Sequence, residues 1–199
     1  APAGTKGISL FVVPKHRPGE GGELVFNDVN TVGDFQKMGQ RGYCTTHLSF
    51  GDQKDCRGWL VGEPHQGLKY MFLMMNGARI AVGRGAAAIA MAAYRTSLAY
   101  AKERPQGRKL TSSGKKDVAK DQTLIINHPD VRRMLLTQKV IVEGALSLVL
   151  LSAKYQDLSL NHPEESERKK YHALLELLTP VAKTYPAEKG LEAVSNGLQ

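Results

Sequence analysis

The strongest constraint on the fold is a long stretch without proline. Residues 66–104 contain none, are rich in Ala, Leu and Met, and place apolar residues at helical spacing. This pattern predicts one long helix, because proline interrupts helices and these residue types favour them. Its Gly77, Gly83, Gly85 and alanines indicate close contact with other helices. We expect the core side of this helix to carry Leu68, Phe72, Met75, the stem of Arg79, Val82 and Ile89.

The segment before this helix has the character of β structure. Short runs rich in β-branched and aromatic residues, separated by glycine-rich turns, predict strands at residues 8–13, 23–26, 43–50 and 56–61. The change of character at Gly62-Glu63-Pro64 predicts two domains, the first at 1–61 and the second at 62–199. Since the strands lack a complete alternation pattern, residues 1–61 are expected to form only part of an antiparallel β-domain.

Three further helices are predicted after an exposed loop at 105–121, which is rich in Gly, Ser, Lys and Asp. One begins near Pro129, with Asn127 as its N-cap, and continues to about residue 160. Another begins at Pro163 and runs toward Thr184 with a kink at Pro180. A fourth is expected after Pro186, because proline usually ends a helix. The predicted fold is therefore α+β, a partial antiparallel β-domain followed by an up-down helical bundle.

Composition excludes several classes of protein. The 199 residues carry a net charge of +8 and are 42% hydrophobic, which is typical of a globular protein. The apolar run at 80–94 is interrupted by Arg84 and is too short for a membrane span. Cys44 and Cys56 show the spacing of neither a zinc site nor a disulfide framework, so a reducing cytoplasm is expected. The missing initiator Met before Ala1 and the unfinished pattern at the end predict a fragment.

Residues 83–88 (GRGAAA) match the G-x-G-x-x-A fingerprint of dinucleotide-binding proteins, with Glu103 twenty residues later. The fingerprint requires a strand immediately before it. Here the helical pattern of 66–77 continues straight into the motif, so dinucleotide binding of this type is not expected.

Basic pairs at 108–109, 115–116 and 132–133 could attract phosphate groups. No aromatic residues are interleaved with them, and charge clusters are usually solvated surface, so nucleic acid is not an expected partner. The six histidines lack the i, i+4 spacing of a metal site, and no metal is predicted.

Six segments in series resemble the acyl-CoA dehydrogenase family of flavoproteins, particularly its larger bacterial members. Residues 7–14 (GISLFVVP) are similar to a middle-domain strand, and 37–46 (KMGQRGYCTT) to a K-(M/L)-G-x-R-x-S-x-T segment. Residues 60–68 (LVGEPHQGL) resemble the passage into the first bundle helix. The remaining three segments are 76–79 (NGAR), 103–108 (ERPQGR) and 128–130 (HPD). The family's fold implies an N-terminal helical domain, a middle β-domain and a C-terminal bundle, of which this chain would hold the last part of the second and most of the third.

The resemblance also implies site residues. Asn76, Arg79 and the neighbouring Met75 fall where the family contacts the acyl-CoA substrate. Arg104 and Gln106 fall in a turn that reaches across a subunit interface to the FAD pyrophosphate, and His128 falls at a flavin contact. In this chain Gly107-Arg108 replaces the aromatic-Gly step of that turn.

The implied reaction is α,β-dehydrogenation of an acyl-CoA thioester with hydride transfer to flavin. The family's catalytic Glu lies either beyond the last residue of this chain or at the position of Ala78, so no catalytic residue is expected within it. The isolated chain is expected to be inactive and to hold FAD poorly. An electron-transfer flavoprotein is the implied acceptor, and a homodimer or homotetramer the implied assembly.

Three alternatives stay open at this point. An acyl-CoA oxidase would pass electrons to oxygen instead of a flavoprotein. A non-catalytic flavoprotein of the same fold could bind nucleic acid through a basic bundle surface. A helical module could serve only oligomerisation.

Overall fold

The computed structural model describes residues 2–117 and 119–199. Ala1 and Val118 lie outside the described residues; Val118 belongs to the predicted loop at 105–121. The chain divides into two compact units, Ala1–Met74 and Met75–Gln199. Among the described residues, six short strands lie in the first unit. Helix α1 (Gly67–Glu103) begins at a residue of the first unit and continues in the second, which also contains α2 (Pro129–Asn161) and α3 (Glu165–Leu198). This arrangement confirms the predicted α+β fold class, while the boundary at residue 61 or 62 stays a prediction.

The strands form three antiparallel pairs. The pairs are β1 (Phe11–Val12) with β6 (Trp59–Leu60), β2 (His16–Pro18) with β3 (Leu24–Phe26), and β4 (Val29–Asp34) with β5 (Thr46–Phe50). The sequence did not predict β2 or β4. β4 was not predicted because a register shift between Thr31 and Gly33 breaks the alternation of apolar and polar residues by which a strand is recognised.

A buried asparagine links the strands of the first unit. Asn27 is fully buried, and its amide donates to the carbonyl oxygens of Pro14 and Arg57, both at 2.8 Å. Its Oδ1 accepts from Arg17 at 2.8 Å and from the Arg57 backbone N–H at 2.9 Å. Arg17 also forms an ion pair with Asp55 at 2.6 Å. Short strands with few ladder bonds are thus held together by side-chain hydrogen bonds.

Asp55 makes the stability of this unit dependent on pH. The hydrogen bond from Arg17 holds the pKa of the Asp55 carboxyl below its ordinary value of 3.8. A lowered folded-state pKa stabilises the folded chain above pH 3.8, and this stabilisation is lost as the pH falls through the folded-state value.

We expect Asp55→Asn to lower the unfolding midpoint in urea at pH 7, because the variant lacks the ion pair with Arg17. The difference from the wild type should shrink when the pH falls below 3.8. Glu20→Gln, which changes an exposed carboxylate in the β2–β3 turn, should leave the midpoint unchanged at both pH values. A difference for Asp55→Asn that persists undiminished at low pH would contradict the linkage.

The three helices form an up-down-up bundle. Ile80 of α1 packs with Val149 of α2, and Ala90 packs with Ile141, so α1 and α2 run antiparallel. α3 returns after a short connection at residues 162–164. His128 is the N-cap residue of α2, so the prediction for Asn127 was wrong; Asn127 lies in a short 3-10 helix (Ile125–Asn127) and donates to Thr123 Oγ1 at 3.1 Å.

The predicted fourth helix does not exist as a separate element, because α3 continues through Pro180 and Pro186. A proline lacks the N–H that would bond the carbonyl four residues earlier, and for Pro186 that carbonyl belongs to Ala182. A Cβ on Gly83 of α1 would lie only 2.0 Å from this oxygen. The Cα hydrogen of Gly83 therefore faces the carbonyl whose usual helical donor is missing at Pro186, which gives the oxygen a weak donor. Burial of Pro186, Ala182 and Ala193 along the same face stabilises the continuous helix.

The predicted core side of α1 was wrong in part: Leu68 and Arg79 are half-buried, but Phe72, Met75, Val82 and Ile89 are exposed. From Met75 onward its buried residues are Ile80, Gly83, Ala87, Ala90 and Ala101, whereas Val82 is 51% and Ile89 64% exposed. Small residues form the contact because they allow the helix backbones to approach closely, and larger side chains at these positions would hold them apart. The expected close contact holds for Gly83, while the Cβ positions of Gly77 and Gly85 have nothing within 4 Å.

Gly83 and Gly85 provide a matched pair for testing this contact. Gly83→Ala should lower the free energy of unfolding by about 1–3 kcal/mol, because the new methyl group meets the Ala182 carbonyl. Gly85→Ala faces open space and should raise it by about 0.5–1 kcal/mol through helix propensity. Urea denaturation of the two variants measures both values; equal effects would show that α1 and α3 do not meet here.

Helix α2 contains a long apolar stretch. An 18-residue window within it has a mean hydropathy of 1.7, so its length and composition alone would allow it to cross a membrane. Core helices of soluble proteins share these properties, and α2 packs against α3 along the bundle.

Candidate functional site

The three residues predicted to contact the substrate lie on α1 at the start of the second unit. Arg79 and Asn76 share one helix face, and Arg79 Nη1 donates to Asn76 Oδ1 at 3.5 Å. Both side chains are half-buried, and Met75 is 37% exposed. Asn76 thus helps to orient a guanidinium group, whose fork of donors suits carbonyl, carboxylate or phosphate oxygens.

The three residues predicted to contact the cofactor lie together where α1 ends. The backbone after α1 pairs with residues 123–125: Gln106 N–H donates to Thr123 O, and Ile125 N–H donates to Arg104 O, both at 2.9 Å. His128 Nε2 lies 2.7 Å from the carbonyl oxygen of Gln106. A carbonyl only accepts, so Nε2 carries the proton in this contact.

Gly107 stands where the family pattern has an aromatic residue, and the backbone at this position suits glycine. Its φ of +70° favours glycine, and a Cβ there would lie 3.4 Å from the His128 ring. The imidazole of His128 occupies the space beside the turn, so a bulky residue at 107 would crowd it.

The surface of this turn is suited to anions. The side chains of Arg104 and Gln106 are exposed, and α2 begins at the neighbouring Pro129. The first turn of a helix leaves N–H groups without intrahelical acceptors and carries a partial positive charge. Arginine, amide and helix N-terminus are together a suitable set of groups for a phosphate or pyrophosphate.

The two groups of predicted residues lie far apart within one chain. Arg79 and Arg104 are both on or directly after α1, and at 1.5 Å per residue they are separated by about 37 Å. The structure therefore brings together the members of each group but not the two groups.

One polar residue near the cofactor group was not predicted. Gln138 is 1% exposed within the apolar stripe of α2, and its Oε1 has no hydrogen-bond partner among the described residues. It lines a cavity of about 280 Å³ together with Gln106, Tyr100 and Asn196. The available signal was a single glutamine between Leu135 and Ile141 in an otherwise apolar repeat.

Other sequence motifs have simpler explanations. The fingerprint-like residues 83–88 lie in the middle of α1, without the preceding strand that dinucleotide binding requires. Within residues 2–117 and 119–199, no group of three His, Cys, Asp or Glu side chains could hold a metal ion.

His128→Phe should loosen the turn that holds Arg104 and Gln106, because the phenyl ring cannot donate to the Gln106 carbonyl. We expect a loss of about 1 kcal/mol in the opening free energy measured by hydrogen exchange at the amides of Thr123 and Ile125. His172→Phe, at an exposed position on α3, is the control and should leave both amides unchanged. Unaltered exchange in His128→Phe would mean that the backbone pairing alone holds the turn.

Comparison with known proteins gives consistent relatives. No family model matches the chain. It is 40% identical over 199 residues to a 3-methylmercaptopropionyl-CoA dehydrogenase of Ruegeria pomeroyi, and 36% identical over 205 residues to a butyryl-CoA dehydrogenase of Syntrophomonas wolfei. It is 37% identical over 202 residues to a broad-specificity linear acyl-CoA dehydrogenase of Mycobacterium tuberculosis. These alignments cover 98–100% of this chain but only 32–33% of the relatives, so the chain spans about a third of their length.

Solved structures agree on the fold. The structure of Caenorhabditis elegans ACDH-11 in complex with C11-CoA matches 98% of this chain and 29% of its own, with a TM-score of 0.73 and 21% identity. The apo-form of Bd2924 matches 100% of this chain and 35% of its own, with a TM-score of 0.73 and 22% identity. Over its whole length this chain is therefore similar to about a third of enzymes that are named as acyl-CoA dehydrogenases, and its fold agrees with this similarity.

Proposed function

We propose that the protein containing this chain is an FAD-dependent acyl-CoA dehydrogenase, which converts an acyl-CoA thioester to its α,β-unsaturated form. The observation that carries this proposal is the match of the whole chain, at 36–40% identity, to enzymes that are named as such dehydrogenases. Since the chain spans about a third of those enzymes, the activity is proposed for the longer protein.

Asn76, Arg79 and Met75 are the proposed substrate contacts. The hydrogen bond from Arg79 to Asn76 restricts the guanidinium to one side of α1, which lowers the entropy lost when it binds a polar group of the thioester ligand. Met75 is a flexible, partly exposed apolar side chain beside them and is suited to contact with an acyl chain.

Arg104, Gln106 and His128 are the proposed FAD contacts. Their fit to the cofactor rests on the exposed guanidinium and amide next to the start of α2, a combination suited to a pyrophosphate. His128 acts by holding the Gln106 backbone through its 2.7 Å contact, and so positions the turn.

The separation of about 37 Å between the two groups supports a shared site between subunits. A single chain that contacts the substrate through Arg79 would contribute Arg104 to the cofactor of a neighbouring subunit. A homodimer or homotetramer is therefore part of the proposal.

The catalytic base is not assigned to any residue of this chain. A bound flavin would accept the hydride that leaves the substrate β-carbon, and a carboxylate would remove the α-proton. Ala78, next to Arg79, cannot do this, so the base is expected to be a Glu outside these 199 residues. An electron-transfer flavoprotein in the cytoplasm is the proposed acceptor.

The proposal is tested by anaerobic titration of the purified flavoprotein that contains this chain with medium-chain and long-chain acyl-CoA. Bleaching of the flavin absorbance band would show hydride transfer. A flavin band that no acyl-CoA bleaches would contradict the proposed reaction.

Two arginine variants test the assignment of the sites. Arg79→Gln should raise the KM for acyl-CoA about 10- to 100-fold with flavin content unchanged, because it removes a charge-assisted hydrogen bond. Arg104→Gln should weaken FAD binding by a similar factor. Arg95→Gln, an exposed position between them on α1, should change neither quantity. Loss of flavin in Arg79→Gln and not in Arg104→Gln would reverse the assignment.

A further inference from the structure

The turn between α2 and α3 is built around the imidazole ring of His162. His162 is the C-cap residue of α2, and its Nδ1 lies 3.2 Å from the backbone nitrogen of Glu164, the N-cap residue of α3. A backbone N–H can only donate, so Nδ1 is the acceptor and the ring proton is on Nε2. This contact therefore exists only while the His162 ring is neutral.

The imidazole replaces the usual acceptor at this helix start. In a capping box, the side chain of the third helical residue accepts from the N–H of the N-cap residue. In α3 the third residue is Glu167, but both of its carboxylate oxygens accept from Lys170 Nζ, at 3.2 and 3.0 Å. The described residues provide no second acceptor for the Glu164 N–H, so the closure of this turn depends on one titratable ring.

Two cations of α3 lie near the His162 ring. Arg168 Nη1 donates to the His162 carbonyl oxygen at 2.6 Å. The centroid of the Tyr171 ring is 5.9 Å from that of the imidazole, and Lys170 Nζ stands 5.5 Å from the same tyrosine centroid. From α2, the uncharged ring of Tyr155 lies against Tyr171 at 5.7 Å. The ring thus faces aromatic groups and positive charge.

The nearby carboxylates do not compensate this positive charge. Glu165 pairs with Lys169 at 2.7 Å, the Glu167 carboxylate is bound to Lys170, and the Glu164 side chain is exposed. Within the part of the chain that the structure describes, none of them forms an ion pair with the His162 ring. A proton on this ring would therefore add a third positive charge beside Arg168 and Lys170.

His172, on the same helix, has the opposite arrangement. Its Nε2 lies 3.5 Å from Glu176 Oε1, so a proton on this ring would create an ion pair. Acid should strengthen the contact of His172 and break the contact of His162. The two histidines can therefore be distinguished by the direction of their response.

We propose that the turn between α2 and α3 is a pH-sensitive switch, closed while His162 is neutral and open when its ring is protonated. Protonation places an N–H on Nδ1, which can then no longer accept from Glu164. The first turn of α3, where the Arg168 N–H donates to the Glu164 carbonyl at 3.1 Å, loosens with it. The switch does not depend on flavin binding or on activity.

The test is hydrogen exchange at the amides of Glu164 and Arg168 in the purified protein that contains this chain, pulse-labelled at pH 8 and at pH 5. Each rate is divided by that of the unfolded chain at the same pH, which removes the intrinsic pH dependence of exchange. In the wild type, protection should be about three- to tenfold lower at pH 5, as expected for the loss of one hydrogen bond.

Two substitutions at the same position separate the acceptor from the charge. His162→Asn retains an oxygen that can accept from the N–H two residues later and does not titrate, so protection should be high at both pH values. His162→Phe retains a ring beside Tyr171 but has no acceptor, so protection should be low at both. The control His172→Phe should lose protection at pH 5 as the wild type does.

Equal protection of the wild type at pH 8 and pH 5 would overturn the proposal. A loss at pH 5 that persists undiminished in His162→Asn would overturn it too, because the titrating group would then lie elsewhere. A loss that disappears in His172→Phe but not in His162→Asn would assign the pH dependence to the pair with Glu176.

Discussion

The bundle depends on one close approach between helices, where the backbone of α1 at Gly83 meets the carbonyl of Ala182 on α3. This contact requires two residues that are unfavourable in an isolated helix. Gly83 costs conformational entropy, and Pro186 removes the hydrogen bond that the Ala182 carbonyl would otherwise accept. Together they are compatible, because the absence of a side chain at 83 brings α1 close to the oxygen that the proline leaves without its usual donor. The direction of α3, the burial of Ala182 and the exposure of the larger α1 side chains follow from this crossing.

The sequence predicted the type of most elements but not which side of α1 is buried. The absence of proline from residues 66–104 and the presence of Pro129 act locally on the backbone, so each predicts a helix from the sequence alone. The structure confirms both helices. The buried side of α1 depends on a partner about 100 residues away, and a hydrophobicity pattern that favours large residues such as Val82 and Ile89 selects the wrong side. Pro186 was interpreted as a helix end for the same reason, because its compensation lies on another helix.

For the candidate site, the order of the motifs along the chain predicted more than the composition could. The resemblance selected Asn76 with Arg79 and Arg104 with Gln106, and the structure brings each pair together. Local patterns could not predict that His128 contacts the Gln106 carbonyl across 22 positions, since this contact requires the chain to return after the loop. Gln138 was not predicted because a buried amide within an apolar repeat has no distinctive sequence pattern beyond its own polarity. The length of α1 separates the two groups, and this separation is the physical argument for the proposed site between two subunits.

The crossing at Gly83 also has a consequence for the order in which the chain folds. α2 and α3 are joined by only three residues, so their contacts need little loop closure and can form early. α1 must find its contact with α3 across a much greater length of chain, and we expect its docking to be a later step. Until then the carbonyl of Ala182 lacks both its usual helical donor and the contact with Gly83. Docking of α1 would thus complete α3 as well as the bundle.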